Sequence, residues 1–195
     1  MSDGMRGRDR FAKYRGAIGA LTKLYKLTPL GMRLRAFEKR RSTRGKIGLG
    51  LRYAILSSVA VSVGENVAIY PGVYLLHPEN LKVGSNVSIQ PMCYLKCGLE
   101  KGGIEIGDDV SIAHGATVMA TTHTFGDKEV MIRDQEVVSE PVVIESNVWI
   151  GAKASVLSGV TVKSGCVIGA GAVVTKSTEP NGVYGGVPAK RIKER

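Results

Sequence analysis

The sequence of 195 residues predicts an all-β solenoid, a parallel β-helix of six-residue repeats that is preceded by a basic helical arm. The first observation is the period of six. Between Val63 and Val173, in several blocks, an aliphatic residue opens each unit and a small or β-branched residue follows four positions later. A unit of six residues cannot bury its own apolar side chains, so it must stack on copies of itself.

The second observation is the kind of residue at the expected corners. Glycine, asparagine and aspartate tolerate the tight or left-handed backbone of a turn, and they recur beside the aliphatic positions. A β-sandwich would instead alternate apolar and polar residues and place turns about every 8 to 12 residues. The 25 glycines also lack a three-residue period, which excludes a collagen-like chain.

The repeat divides the chain into three parts. We expect the basic helical arm at residues 1–52, the β-helix at 53–176 and a C-terminal tail at 177–195. An irregular excursion interrupts the repeat at 124–141. Long loops within a compact domain are usually functional, so we expect this one to have a functional role.

The net charge of +10 belongs to the arm. Residues 1–52 hold 15 Lys or Arg against three acids, a net of +12, and the rest of the chain has a net charge of −2. An apolar face from Phe11 to Tyr25 predicts an amphipathic helix that ends near Pro29. The arm is then either a packing helix with a solvated basic face, or a surface (1–45) for an anionic membrane or an acidic glycan. No nucleic-acid-binding motif accompanies the charge, so we expect no nucleic-acid partner.

Targeting signals and cysteine usage suggest a compartment. The N-terminal residues are charged and lack an apolar core, and no run approaches the ~20 apolar residues of a membrane span. Three cysteines without a secretory signal suggest a reducing environment rather than a disulfide framework. We expect a cytoplasmic protein, peripheral at the inner membrane if the arm binds lipid.

Residues 60–195 carry a resemblance to a known family. The run NVWIGAKASVLSGVTVKSGCVIGAGAVVTK, followed by VPAKRIK, resembles the bacterial hexapeptide-repeat acyltransferases. Within them it is most similar to the enzymes that O-acetylate sugars and polysaccharides, near the maltose and galactoside acetyltransferases. The resemblance implies a left-handed β-helix, a homotrimer, acetyl-CoA as the acyl donor and a saccharide hydroxyl as the acceptor. It places the reaction in the biosynthesis of cell-envelope or capsular polysaccharide, including lipopolysaccharide.

The family's catalytic base is a histidine just before the excursion, a position that His123 occupies here. An imidazole that titrates near neutrality can take the proton of a hydroxyl as it attacks the thioester. Three weaker candidates for the acceptor site are His114, which could border the same groove, and Asp127 and Glu129, which could orient His123 or bind the acceptor. For these, a turn residue or plain solvated charge is the simpler interpretation.

The resemblance also implies a CoA site in the coils after the excursion. Small residues let backbone amides approach the thin pantetheine arm, and lysines match the CoA phosphates. The predicted CoA-binding residues are Trp149, Gly151, Ala152, Ala170, Thr175, Lys176, Lys190 and Lys193.

Covalent and metal catalysis are less consistent with the residues. Cys93 and Cys166 fall at inward positions of the repeat, and Cys97, which is expected to point elsewhere, has no neighbouring histidine. Direct transfer in a ternary complex is therefore favoured. The zinc-dependent carbonic anhydrases of this fold need three histidine ligands, and the three histidines here are too scattered, so we expect no metal.

Other functions remain open. The galactoside-type relatives carry an acceptor-binding asparagine before the histidine, whereas the corresponding segment here, QPMCYLKC, has none. The acceptor could instead be a nucleotide-linked amino sugar, acetylated at nitrogen, or serine, acetylated at oxygen. A non-catalytic scaffold recruited to membranes by the arm is the alternative outside the enzymes.

Overall fold

The computed structural model describes residues 11–99 and 103–195, so the first ten residues of the predicted arm lie outside the described residues. The chain begins with a 3-10 turn at Ala12–Tyr14. Three helices follow: α1 (Arg15–Lys26), α2 (Leu30–Arg40) and α3 (Gly45–Val59). The break between α1 and α2 coincides with Pro29, as the sequence predicts.

Five coils of short parallel strands follow the helices. The first three coils consist of β1 (Ser62–Val63), β2 (Ala68–Ile69) and β3 (Tyr74–Leu76); β4 (Leu81–Val83), β5 (Ser88–Ile89) and β6 (Tyr94–Lys96); and β7 (Ile104–Ile106), β8 (Ser111–Ile112) and β9 (Thr117–Met119). A ribbon of β10 (Thr121–His123) and β11 (Val137–Ser139) then interrupts the coils. The last two coils consist of β12 (Val142–Ile144), β13 (Trp149–Ile150) and β14 (Ser155–Val156); and β15 (Thr161–Val162), β16 (Val167–Ile168) and β17 (Val173–Val174). Two 3-10 turns lie at Pro78–Asn80 and Ile132–Asp134. A terminal hairpin of β18 (Gly182–Gly185) and β19 (Lys190–Glu194) ends the chain.

The strands form three flat faces of a prism. The first strand of each coil pairs in register with the first strand of the next to form face A, and the second and third strands form faces B and C in the same way. The β18 strand continues face B beyond β16. This is the parallel β-helix that the period of six predicts.

Apolar side chains at steps of two and four fill the interior. In the fourth coil, for example, Val142, Ile144, Val148 and Ile150 are all at most 2% exposed. Equivalent positions repeat in every coil and form one continuous core. Val and Ile favour the strand conformation and also fill the core. Alternate side chains of a strand point to opposite faces, so those at the inward positions are buried.

The corner between faces A and B consists of a polar ladder. Asn66, Asn86, Asp109 and Asn147 have φ values of 57 to 60°, the left-handed region that Asn and Asp tolerate better than most residues. The Asn66 side-chain amide donates to Asn86 Oδ1 at 2.9 Å, and the Asn86 amide donates to Asp109 Oδ1 at 3.1 Å. These contacts explain why asparagine recurs at the same position of successive units.

Helix α3 closes the N-terminal end of the prism. Ile55, Leu56 and Val59 join the core of the first coil, so the helix supplies the cap that a solenoid end needs. Arg52 is fully buried, and its guanidinium donates to the carbonyl of Ile69 in the first coil at 2.7 Å. It also donates to the carbonyls of Arg40, the last residue of α2, and Thr43, which follows that helix. One side chain therefore ties the helical arm to the β-helix.

The predicted domain limits differ from the structure in two places. Helix α3 runs across the boundary expected after residue 52, because the apolar run 53–59 covers the open end of the core instead of starting a coil. The excursion expected at 124–141 also begins earlier. Strand β10 already leaves the prism and pairs antiparallel with β11, with His123 opposite Val137.

Close packing between coils predicts which glycines are indispensable. A Cβ added at Gly107 would lie 2.7 Å from Ser146 N and 2.9 Å from Glu145 C, which are backbone atoms of the next coil. We expect Gly107→Ala to lower the free energy of unfolding by about 2 to 3 kcal/mol, measured by urea denaturation. Gly19→Ala, in α1 with no atom within 4 Å, is the control and should raise it by about 0.5 to 1 kcal/mol. Equal stability of the two variants would contradict this account of the coil spacing.

Candidate active site

His123 lies at the base of the excursion, beyond face C of the third coil. Its ring is exposed, and within the described ranges the ring forms no hydrogen bond. Its backbone is held by the β10–β11 ribbon, and the next residue, Thr124, donates its N–H to Glu136 O at 2.9 Å. The fold thus presents an unpaired imidazole on a fixed backbone, a suitable arrangement for a group that must take a proton from a bound substrate.

The excursion is organised by Gln135, a residue to which the sequence analysis gave no role. The Gln135 side-chain amide donates to the carbonyls of Asp127 at 2.8 Å and Val130 at 2.9 Å. The Asp127 carboxylate accepts the Glu129 N–H at 2.9 Å. Neither Asp127 nor Glu129 forms a hydrogen bond with His123, so neither carboxylate orients the imidazole in this structure.

The corner between faces B and C carries a column of backbone groups that could bind a ligand. Pro71 and Pro91 occupy one corner position in the first two coils, and His114, Ala152 and Ala170 occupy it in the next three. The corner carbonyls of Pro91, His114 and Ala152 each accept an N–H from the next coil, donated by Gly115, Lys153 and Gly171, respectively.

The amide nitrogens of this column are different. Among the residues that the structure describes, the N–H groups of His114, Ala152 and Ala170 have no hydrogen-bond partner. Proline, which has no N–H, fits the same position in the first two coils for that reason. The signal was visible in the sequence, as the YPG and QPM corners in register with AHG, GAK and GAG, but its meaning depends on the three-dimensional stacking.

Two predicted CoA residues have structural surroundings of their own. Gly151 is buried, its N–H donates to Ile168 O at 2.7 Å, and an added Cβ would lie 2.6 Å from Ala170 N. Coil packing therefore requires a glycine at position 151, whether or not this residue contacts a ligand. Trp149 is 56% exposed on face B, where it borders an open groove of about 710 Å³.

Several lysines surround the C-terminal coils. Thr175 and Lys176 are exposed just after β17, and Lys190 and Lys193 are exposed on β19. The terminal hairpin is anchored on the last coil, since Ala189, which precedes Lys190, donates its N–H to Val173 O at 2.8 Å. Lys153 is also exposed, at the B–C corner, and was not among the predicted residues. Within the described residues, none of these lysines forms an ion pair.

The structure separates His123 from the B–C corner of the same chain. The third coil passes from His114 at the corner along the whole of β9 before it reaches the excursion. The extended chain between Gly115 and Ala120 spans on the order of 15 Å. The two halves of the predicted site thus lie at opposite edges of face C.

Comparisons with known proteins place this geometry in a family. The family model described as bacterial transferase hexapeptide (six repeats) matches residues 141–176. The galactoside O-acetyltransferase of Escherichia coli (strain K12) is 34% identical over 146 residues, which cover 73% of this chain and 68% of that protein. The chain belongs to the bacterial hexapeptide-repeat transferases. It is an acyltransferase, and the predicted left-handed β-helix is confirmed.

Solved structures agree with this assignment. A maltose O-acetyltransferase from Clostridium difficile 630 is 28% identical, with a TM-score of 0.68 over 94% of this chain and 87% of that one. A point mutant of AntD, an N-acyltransferase from Bacillus cereus in complex with dTDP and coenzyme A, is 27% identical, with a TM-score of 0.61 over 69% of this chain and 73% of that one.

The cysteines of this acyltransferase all lie in the interior. Cys93 and Cys166 are fully buried at inward positions, as the sequence predicts. Cys97 was expected to point elsewhere, and this prediction is wrong. It is also fully buried, because the chain continues one more inward step after β6 before it leaves the prism. Burial raises the pKa of Cys93, and it raises the pKa of Cys97 to about 12.

These environments predict inert thiols in the native protein. With a raised pKa, Cys93 and Cys97 remain protonated at pH 8, and only the thiolate is an effective nucleophile. We expect native protein to react negligibly with Ellman's reagent at pH 8, and protein in guanidinium chloride to release three equivalents of thionitrobenzoate, one per cysteine. Rapid labelling of one thiol in the native protein would show that a cysteine is accessible and would reopen a covalent route.

Proposed function

We propose that this acyltransferase transfers the acetyl group of acetyl-CoA to a hydroxyl of a saccharide in cell-envelope or capsular polysaccharide biosynthesis. His123 acts as the general base. The observation that supports this role is its exposed ring, which has no hydrogen-bond partner among the described residues, on the hydrogen-bonded β10–β11 ribbon next to the excursion. The O-acetyltransferases of galactosides and maltose among its relatives favour a sugar hydroxyl as the acceptor.

The transfer needs one proton to move twice. The acceptor hydroxyl gives its proton to the His123 imidazole as its oxygen bonds to the thioester carbonyl carbon. The tetrahedral adduct then expels the CoA thiolate, which takes the proton from the imidazolium and leaves as the thiol. No acyl-enzyme forms, which agrees with the burial of all three cysteines.

The donor is held by the B–C corner and the C-terminal lysines. The unpaired N–H groups of Ala152 and Ala170 donate to carbonyl oxygens of the pantetheine arm. Lys176, Lys190 and Lys193 attract the CoA phosphates, and Thr175 lies near the phosphate-bearing end of CoA. Because His123 lies across face C, a neighbouring copy completes each site, and a homotrimer of the kind implied by the family supplies that copy.

An amine acceptor is the second candidate. The AntD relative is an N-acyltransferase that holds dTDP and coenzyme A, and the asparagine of the galactoside-type acceptor site is absent here. An amino sugar linked to a nucleotide would use the same base and donor, so the acceptor panel must include both classes.

The role of His123 is tested by acetyl transfer. We expect His123→Ala to lower kcat by about 10² to 10⁴, because general-base catalysis contributes that much, with an unchanged KM for acetyl-CoA. The measurement is thiol release from acetyl-CoA with a panel of sugars, nucleotide-linked amino sugars and serine as acceptors. His77→Asn is the matched control and should keep the wild-type rate. Among the described residues the His77 ring has a hydrogen bond only with Glu79, and asparagine tolerates the left-handed backbone of this position.

Four outcomes of this assay would contradict the proposal in different ways. Full turnover by His123→Ala would exclude His123 as the base. Turnover only with an amine acceptor would show that the enzyme is an N-acetyltransferase and not an O-acetyltransferase. Turnover only with serine would exclude a saccharide as the acceptor. Absence of transfer to every acceptor, together with no binding of acetyl-CoA, would favour the non-catalytic scaffold.

The corner column offers a backbone test of the donor site. Ala152→Pro removes one unpaired N–H, and the fold should tolerate it because Pro71 and Pro91 occupy the same position in earlier coils. We expect an unchanged melting temperature and a Kd for acetyl-CoA raised about tenfold, the value of one hydrogen bond, measured by calorimetry. Ala152→Ser, which keeps the N–H, should bind as wild type. A folded proline variant with wild-type affinity would place CoA elsewhere.

A further inference from the structure

The turn that joins α1 to α2 exposes a group of aliphatic side chains. The exposed fractions are 60% for Leu24, 83% for Leu27, 38% for Leu30 and 57% for Met32. We call these four residues the apolar tip. Single exposed leucines are ordinary on soluble proteins, but several within nine residues form a patch that marks an interaction surface.

The rest of the arm explains why the tip is exposed and ordered. Helix α1 packs on α3 through its other side, where Thr22 Oγ1 donates to Ala54 O at 3.3 Å. The Arg33 guanidinium donates to Ser58 O and holds the start of α2 against the end of α3. The Thr28 hydroxyl and N–H both donate to Tyr25 O and close the turn. The leucines thus project from a fixed turn and are not needed for the core.

Positive charge surrounds the tip. Lys23, Lys26 and Arg35 are exposed beside it, and none of them forms an ion pair with another described residue. Between residues 11 and 47 the chain has eleven Lys or Arg and one acid, Glu38, whose carboxylate lies 3.5 Å from Arg41. An anionic membrane surface has negatively charged headgroups above apolar acyl chains. The cationic side chains around the tip complement the headgroups, and the apolar tip complements the acyl chains.

We propose that the apolar tip and its lysines dock this acyltransferase on an anionic lipid bilayer. The leucines insert at the level of the headgroups, and Lys23, Lys26 and Arg35 lie over the lipid phosphates. Attachment is peripheral, since no helix of the described chain is long and apolar enough to cross a membrane. A protein partner fits less well, because lysine is depleted from protein interfaces and the tip has no acidic residue beside it to specify pairing.

The test is sedimentation of the full-length protein with vesicles. Phosphatidylcholine vesicles that contain about one third phosphatidylglycerol should bind it, and pure phosphatidylcholine vesicles or about 0.5 M salt should abolish most binding. The double variant Leu24→Ser/Leu27→Ser should lower the partition coefficient at least about tenfold. Met92→Ser, a comparably exposed residue (70%) at a corner of the second coil, is the matched control and should bind as wild type.

Two further readouts separate this proposal from the others. The double variant should keep wild-type acetyl transfer to a soluble acceptor, so failure of membrane docking and failure of the proposed chemistry are distinguishable. Wild-type binding by the double variant, equal binding to neutral and anionic vesicles, or no vesicle binding would each overturn the proposal. If the wild-type protein does not bind vesicles and the double variant has a lower molecular mass than the wild type by light scattering, the tip is instead a contact between copies of the chain.

Discussion

The stacking of two inward side chains from every six residues is the constraint on which the rest of this structure depends. Coils about 4.8 Å apart leave no room for a side chain at positions such as Gly107 and Gly151, whose Cβ would meet the backbone of the next coil. Apolar groups of limited volume fill the inward positions of the described coils, and the cysteines serve there as fillers as well. Chemistry is therefore restricted to the corners, the outer faces and the places where the chain leaves the prism.

Most of the prism could be predicted because each coil repeats the same physical problem. Val, Ile and Leu at steps of two and four identify the inward positions, and Asn or Asp at one corner identifies the left-handed turn. The helical cap was less predictable. The run 53–59 is apolar enough to be a strand, and only the need to close the open end of the core decides that it is helical. Arg52 gives no sequence signal for its buried contacts, since its acceptors are carbonyls from distant segments.

The sequence was sufficient to choose the residues of the candidate site, but it did not show how they are arranged in space. His123, Ala152 and Ala170 can be chosen from motifs, but the motifs do not show that the base and the amide column lie on opposite edges of face C. They also do not show that the corner N–H groups of His114 and both alanines lack partners among the described residues, or that Gln135 holds the excursion together. Cys97 was misplaced for the same reason, because the register of a chain as it leaves the repeat is set by contacts and not by the period.

The most direct test of the central claim, that each site is completed by two copies of the chain, is complementation between inactive variants. A His123→Ala chain lacks the base, and a chain with both Ala152→Pro and Ala170→Pro lacks the donor amides. With acetyl-CoA well below the Kd of the proline variant, which the loss of two hydrogen bonds should raise about a hundredfold, neither chain alone should exceed about 1% of the wild-type rate. If the base and the corner come from neighbouring subunits, mixed assemblies from equal amounts of the two chains should recover about a quarter of the wild-type rate, because random mixing brings an intact base next to an intact corner in that share of the interfaces. Activity no higher than that of the separate variants would contradict a shared site and place both halves within one chain.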